Sequence, residues 1–314
     1  MTKVFIDGRE GTTGLKIYDR LASRTDIELL HIPEEHRKDP AVRSEYINGS
    51  DITFLCLPDA AAREAASLVT NEKVTIIDAS TAHRILPGWS YGFPELSPAH
   101  RKGVEPGKRI AVPGCHASGF LSLAYPLRAL GILPPDYPLV CFSLTGYTGG
   151  GKSMIAAYED TARPTFLDSP RQYGITQEHK HLREMQAIAS LDAPPIFCPV
   201  VGDFPQGMQV SLPLYGRLLT KPMGARDIHR ALCEYYADAR LVEVLPFMGE
   251  GMPDGAFLPT NLLSDSPRMQ IFVGGNDDRI LLASLFDNLG KGASGAAVQC
   301  MNIALGVDET TGLI

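Results

Sequence analysis

The chain has 314 residues, a net charge of −7 and a sequence pI near 5.6. That acidity, with no compensating basic stripe, excludes general nucleic-acid binding, and no run of about 18 apolar residues is present to cross a membrane as a helix. The length is enough for a large core shared between two domains. Six cysteines without a framework spacing read as reduced thiols of a cytoplasmic protein.

A short apolar strand over residues 3–7 opens the chain and leaves no room for a signal peptide. Gly8–Arg9–Glu10–Gly11–Thr12–Thr13–Gly14 follows directly, and a helix then carries Ile17, Leu21 and Ala22 on one face. Strand, glycine turn and helix make a dinucleotide-binding opening: the glycines let the backbone approach a pyrophosphate, which rests on the helix N-terminus. The spacing is G-x-x-G-x-x-G rather than the commoner G-x-G-x-x-G. The second strand, residues 27–32, ends in His31–Ile32–Pro33 where NAD-binding folds usually carry an acid for the ribose hydroxyls. Arg37 and Lys38 just beyond suit a 2′-phosphate and favour NADP, whereas Glu34 or Glu35 would serve NAD.

Strands at 51–57 and 74–78, with a helix at 60–69 between them, continue the alternation. The pattern predicts an α/β fold with a doubly wound, Rossmann-type parallel sheet over residues 1–115. Ligands on such sheets gather at the carboxyl ends of strands, where Gly8, Pro58–Asp59, Ser80, Arg84 and Cys115 all stand. Arg84 is a candidate for a phosphate or carboxylate.

Ile110–Ala111–Val112–Pro113–Gly114–Cys115 reads as a strand end, a tight turn and a cysteine at the start of a helix reaching Leu130. The helix dipole and its unpaired N–H groups favour the thiolate there, which is the nucleophilic form. The same N–H groups suit a neighbouring oxyanion. Cys56, Cys141 and Cys198 lie in apolar strand-like runs, and Cys233 and Cys300 in helix-like ones; these five read as packing.

From about residue 133 the texture changes. Strand-like runs at 139–145, 196–201, 208–215, 242–245 and 270–273, with helices near 179–191 and 225–236, predict an α+β domain with a mostly antiparallel sheet. Residues 145–152 are too glycine-rich for a strand and read as a loop, and their Gly-Gly-Gly-Lys has the wrong spacing for a P-loop. His179–Lys180–His181–Leu182–Arg183–Glu184 is dense in acid–base groups. On a helix His181 and Glu184 face one side, so His181 suits a general acid or base oriented by Glu184, and Arg183 suits a substrate carboxylate. No metal is expected, because a third ligand at sensible spacing is missing.

Together these motifs resemble the N-acetyl-gamma-glutamyl-phosphate reductases in their shorter form, over nearly the whole chain. Pro113–Gly114–Cys115 is similar to the family's nucleophile signature. Asp78–Ala79–Ser80 with Arg84, then Pro94–Glu95–Leu96, resemble another of its segments, and His179–Lys180–His181 with Glu184 resembles its His-x-His-x-x-Glu motif. The tail from Lys291–Gly292–Ala293 through Gln299 and Asn302 to Asp308–Glu309–Thr310–Thr311–Gly312–Leu313 is the most specific match. His116–Ala117 departs from the Tyr-Pro of the longer form. The resemblance implies an NADP-dependent acyl-phosphate reductase with Cys115 as nucleophile and His181 moving the proton, acting on a small-molecule acyl phosphate as a homodimer or homotetramer. It implies substrate contacts from Arg84, Ser118, His179, Arg183 and Glu184. Cofactor contacts would come from Gly8, Gly11, Thr12, Thr13, Gly14, Arg37, Lys38, Ser80, Asn288 and Gly292. It further implies a nucleotide domain at 1–115, a catalytic and oligomerisation domain at 116–285, and a C-terminal helical segment at 286–314 returning to the nucleotide domain. The alternative within the superfamily is an aspartate-semialdehyde dehydrogenase, against which the tail and the 179–184 set argue.

Overall fold

The computed structural model describes residues 1–250 and 257–314. It divides into two compact units, one formed by Met1–Gly114 with Ala293–Ile314 and the other by Cys115–Gly292. The C-terminal segment expected at 286–314 is thus split: residues 286–292 belong to the second unit and 293–314 to the first.

The first unit begins with β1 (Thr2–Asp7), α1 (Thr12–Leu21), β2 (Ile27–Leu30), α2 (Pro40–Gly49) and β3 (Ile52–Leu55). It continues through α3 (Asp59–Ser67), β4 (Thr75–Asp78), β5 (Ser90–Tyr91), α4 (Pro98–Val104) and β6 (Arg109–Ala111). The strands pair in the order β2-β1-β3-β4-β6-β5, every pairing parallel. β3 and β4 are buried along their whole length, as strands covered on both faces must be. α2 was not foreseen. Asp39 caps it by accepting the N–H groups of Ala41 and Val42, with proline at the first helical position. The order reverses between β1 and β3, the switch point at which such sheets bind ligands.

A buried ion pair ties α2 to that point. Arg43 donates from Nε and Nη2 to Asp7 Oδ2 at 3.1 and 2.8 Å, and from Nη1 to Glu64 at 2.9 Å. The Arg43 and Asp7 side chains are each only 6% exposed. Burial raises the Asp7 carboxyl, and the guanidinium pulls it back.

The second unit holds α5 (Cys115–Ala129), β7 (Val140–Gly146), α6 (Gly151–Glu159), β8 (Arg171–Gln172), α7 (His181–Ile188) and β9 (Ile196–Gly202). These are followed by β10 (Met208–Tyr215), α8 (Ala225–Tyr235), β11 (Val242–Val244), β12 (Met269–Gly275) and β13 (Arg279–Phe286). Its sheet runs β11-β12-β13-β10-β7-β9-β8, antiparallel except at β11/β12 and β7/β9. Two elements depart from the sequence reading. β13 is a central strand between β12 and β10, built from the apolar run Ile280–Leu281–Leu282 onward. Residues 145–152 are not one loop: Thr145 and Gly146 finish β7, a 3-10 turn follows, and Gly151 and Lys152 open α6. After β13 a π-helical turn over Gly290–Ser294 leads the chain into α9 (Gly295–Leu305) of the first unit. Gln299 of α9 donates to Glu95 and Glu309, and Asn302 donates to the carbonyls of Glu309 and Thr311, so the tail motif locks its own helix in place.

Candidate active site

In the first unit, the carboxyl end of β1 turns sharply. Gly8 has φ +86°, and a Cβ there would sit 2.4 Å from the Cys56 carbonyl oxygen; one on Gly14 would sit 2.5 Å from the Gly8 carbonyl oxygen. Only glycine fits either position. A cavity of about 400 Å³ opens beside this turn, lined by Gly8, Arg9, Gly11, His31, Arg37 and Lys38 among others. Arg9 lies over the Tyr18 ring at 3.8 Å and donates to His31 Nδ1 at 3.0 Å, which gives the cavity a further guanidinium that the sequence reading missed. Glu34 also lines it, 3.6 Å from Arg37. Thr12 and Thr13 form the first turn of α1.

In the second unit, Cys115 is the first residue of the fifteen-residue helix α5 and is partly exposed. Gly292 packs directly on it: a Cβ there would lie 2.9 Å from Cys115 Cβ. Ser118, one turn on, is 1% exposed, and its hydroxyl meets no hydrogen-bond partner among the described residues. His116 is buried and held at both ring nitrogens, by Ser143 Oγ at 2.6 Å from Nδ1 and by the Tyr173 hydroxyl at 2.7 Å from Nε2. Burial, and then the nearby His179, push its pKa down to about 3, so the ring is neutral. The His179 and His181 rings stand 5.6 and 5.5 Å from it, centroid to centroid. Helix α7 starts at His181, two residues later than expected, because His179 Nδ1 accepts the His181 N–H and the Leu182 N–H bonds back to the His179 carbonyl. His181 and Glu184 are both buried on one side of α7.

Two family models match the chain, the semialdehyde dehydrogenase NAD binding domain over residues 28–104 and the semialdehyde dehydrogenase dimerisation domain over residues 115–288. An N-acetyl-gamma-glutamyl-phosphate reductase 2 of Nostoc sp. is 46% identical over 318 residues, covering 99% of each chain. The N-acetyl-gamma-glutamyl-phosphate reductase of Sinorhizobium medicae is also 46% identical, over 96% of this chain and 98% of its own. The chain belongs to the N-acetyl-gamma-glutamyl-phosphate reductase family. Aspartate semialdehyde dehydrogenases share its fold. That of Francisella tularensis superposes with a TM-score of 0.72 at 14% identity over 96% of this chain and 99% of its own. Aspartate semialdehyde dehydrogenase II of Vibrio cholerae gives 0.69 at 15%, over 97% and 98%.

Several residues expected at the reductase site are occupied by the fold itself. Arg84 is buried and donates from Nε to the Val112 carbonyl at 2.9 Å and from Nη2 to that of Ala79 at 3.3 Å, which braces the segment running into Cys115. Ser80 gives its N–H and hydroxyl to Asp78, which also holds His83 at 2.6 Å. Asn288 donates to Thr148 Oγ1 and accepts the Gly207 N–H, both at 3.0 Å. Beside it Asp287 accepts from Gln206 and from the N–H groups of Asp265, Leu289 and Gly290, so the turn bearing Gly292 is fixed from within the second unit. Arg183 is exposed, about 200° round α7 from His181. His116, Ser143 and Tyr173 were not singled out from sequence. His116 was visible only as a departure from the longer form, and no local pattern marks the other two.

Proposed function

We propose that this reductase converts N-acetyl-L-glutamyl 5-phosphate to N-acetyl-L-glutamate 5-semialdehyde through a thioester on Cys115. The observation that carries the reading is the place of Cys115 at the first position of α5, where the positive end of a long helix dipole favours both the thiolate and the oxyanion beside it. The thiolate attacks the acyl carbon; a C–S bond forms, the acyl C–O bond to phosphorus breaks, and phosphate leaves. NADPH, when bound, supplies hydride to the thioester carbonyl. His181 gives a proton to the resulting thiohemiacetal oxygen and takes it back as the C–S bond breaks, releasing aldehyde and thiolate. Glu184 on the same face orients His181, and the unpartnered Ser118 hydroxyl offers the substrate a buried hydrogen bond. His179 is assigned to substrate, whereas Arg183, exposed on the far side of α7 from His181, is not. The experiment that tests the reading is phosphate-dependent oxidation of N-acetylglutamate semialdehyde, run with NADP and with NAD. No turnover with either would overturn it, and turnover of aspartate semialdehyde instead would favour the alternative.

NADP is the favoured nicotinamide. Arg9, Arg37 and Lys38 line one cavity, and the residue that follows β2 is His31 rather than an acid; Glu34 also lines it, beside Arg37, so the cations there outnumber the neighbouring carboxylate facing a 2′-phosphate. Arg37→Ala with Lys38→Ala is expected to raise KM for NADPH roughly tenfold or more, on the scale of lost charge-assisted hydrogen bonds. KM for NADH and kcat should change little. Steady-state kinetics with both reductants checks this.

We infer a homodimer formed through one face of the second unit's sheet. Phe142, Ile196 and Leu281 stand on that face at 50%, 59% and 40% exposure, brought into line by the β9–β7–β10–β13 register. Apolar side chains so grouped mark an interaction surface. Phe142→Asp combined with Leu281→Asp should yield monomers in sedimentation equilibrium, with circular dichroism unchanged. The six cysteines, all free thiols, fit a cytoplasmic enzyme.

A further inference from the structure

The fold completes a donor set that no single stretch of the sequence carries. His179 and His181 stand at the start of α7, and α5 brings His116 to meet them. Each offers one imidazole nitrogen, and the three atoms lie within 4.8 Å of one another. We propose that His116, His179 and His181 form a capture site for a borderline divalent transition-metal cation, Zn2+ above all, which binds by tying the three imidazoles together.

Three imidazoles with a coordination position left open is a donor set that zinc accepts. Zinc–nitrogen bonds of about 2.0–2.1 Å put tetrahedral donors roughly 3.4 Å apart, so the nitrogens must draw in by no more than about 1.4 Å. His179 is only partly buried, while His116 and His181 are buried in the interior, so His179 is the ring that moves. Ser143 Oγ can accept the His116 Nδ1–H, the kind of outer hydrogen bond that orients a metal-ligating imidazole and leaves Nε2 as the donor. In the metal-free protein that Nε2 takes the Tyr173 hydroxyl at 2.7 Å, and His179 Nδ1 takes a backbone N–H at 3.2 Å. At His116 metal binding therefore exchanges a hydrogen bond for a coordinate bond, and Tyr173 is the built-in competitor. The all-nitrogen donor set selects Zn2+, Co2+, Ni2+ or Cu2+ and rejects the oxygen-seeking Mg2+ and Ca2+.

The test titrates the chelator-treated full chain with Co2+ and follows its visible ligand-field absorption, then displaces the Co2+ with Zn2+. One equivalent should bind in the micromolar range. His179→Asn and His181→Asn should each weaken binding tenfold or more, and Tyr173→Phe should tighten it several-fold. Circular dichroism controls for folding, and the half-exposed His179 is the safer of the two histidine variants. The proposal is overturned if no saturable spectrum develops below millimolar Co2+. It is equally overturned if both histidine variants bind as the parent does, or if binding is lost only in His229→Asn, which would move the metal to the His229–Cys233 pair on α8. Inhibition of turnover by Zn2+, reversed by chelator, is a further expected result that rests on the reductase reading. Absent turnover would leave the Co2+ spectrum to decide the metal site, whereas turnover without a Co2+ spectrum would remove the site and leave the reductase standing.

Discussion

Replacing Cys115 with serine should lower turnover by a factor of about a thousand or more, a loss of at least ~4 kcal/mol of transition-state stabilisation, while leaving nicotinamide binding intact. The hydroxyl is a far weaker nucleophile than a thiolate at neutral pH, and nothing else at the first turn of α5 replaces the sulfur. Two measurements separate this from damage to the fold. Quenching of protein fluorescence by the reduced cofactor should be unchanged. Mass spectrometry of the parent enzyme mixed with acyl phosphate, without nicotinamide, should show one acyl adduct that the variant lacks. The other cysteines supply the contrast. Burial pushes the Cys56 and Cys141 thiols far up, helped at Cys56 by the Asp78 and Asp7 carboxylates and at Cys141 by Cys198, so they stay protonated and unreactive. An adduct on either of them, or near-parental turnover by Cys115→Ser, would end the covalent reading.

The second large effect concerns stability. Arg43→Leu should cost the first unit about 3–5 kcal/mol, because it strands the Asp7 carboxylate in the interior beneath the nucleotide cavity. Urea denaturation followed by Trp89, the chain's single tryptophan and a member of that unit, reads it out. The pH dependence has a definite sign. Without Arg43, burial and then the Glu64 charge act on Asp7 unopposed and raise its folded-state pKa further above the unfolded value. The penalty is therefore small below the unfolded pKa of about 3.9 and grows as pH rises through the folded one, opposite to the usual carboxylate ion pair. Adding Asp7→Asn to the variant should recover part of the loss and flatten that dependence. A variant as stable as the parent at pH 7 would show that the pair contributes nothing net.

The parallel sheet was readable because its buried strands are short apolar runs, each ended by a glycine, proline or acidic residue. α2 escaped notice because its face is weak, with only Arg43 and Ile47 buried, although Asp39–Pro40 is a helix start in plain view. β13 escaped for another reason. An unbroken run such as Ile280–Leu281–Leu282 suits a buried helix or a central strand equally, and only its pairing with β10 and β12 decides. At the site, Cys115 and the His181–Glu184 face followed from local spacing. The same helical wheel already placed Arg183 on the far side. The bonds of His116 to Ser143 and Tyr173 join three separate elements, and no window of sequence contains them.

The second unit is one uninterrupted segment whose two ends, Cys115 and Gly292, pack against each other. The first unit is therefore a host interrupted by an insertion of 178 residues, counted from Cys115 to Gly292. Were that insertion unstructured, joining the host's halves would mean closing a very long loop, at a chain-entropy cost of about 4–5 kcal/mol. Once the insertion has folded its ends already adjoin and most of that cost is gone. Folding of the insertion and joining of the host's two halves are thereby coupled, the first lowering the cost of the second. The Arg43 substitution should accordingly loosen the host and leave the insert's unfolding transition where it was.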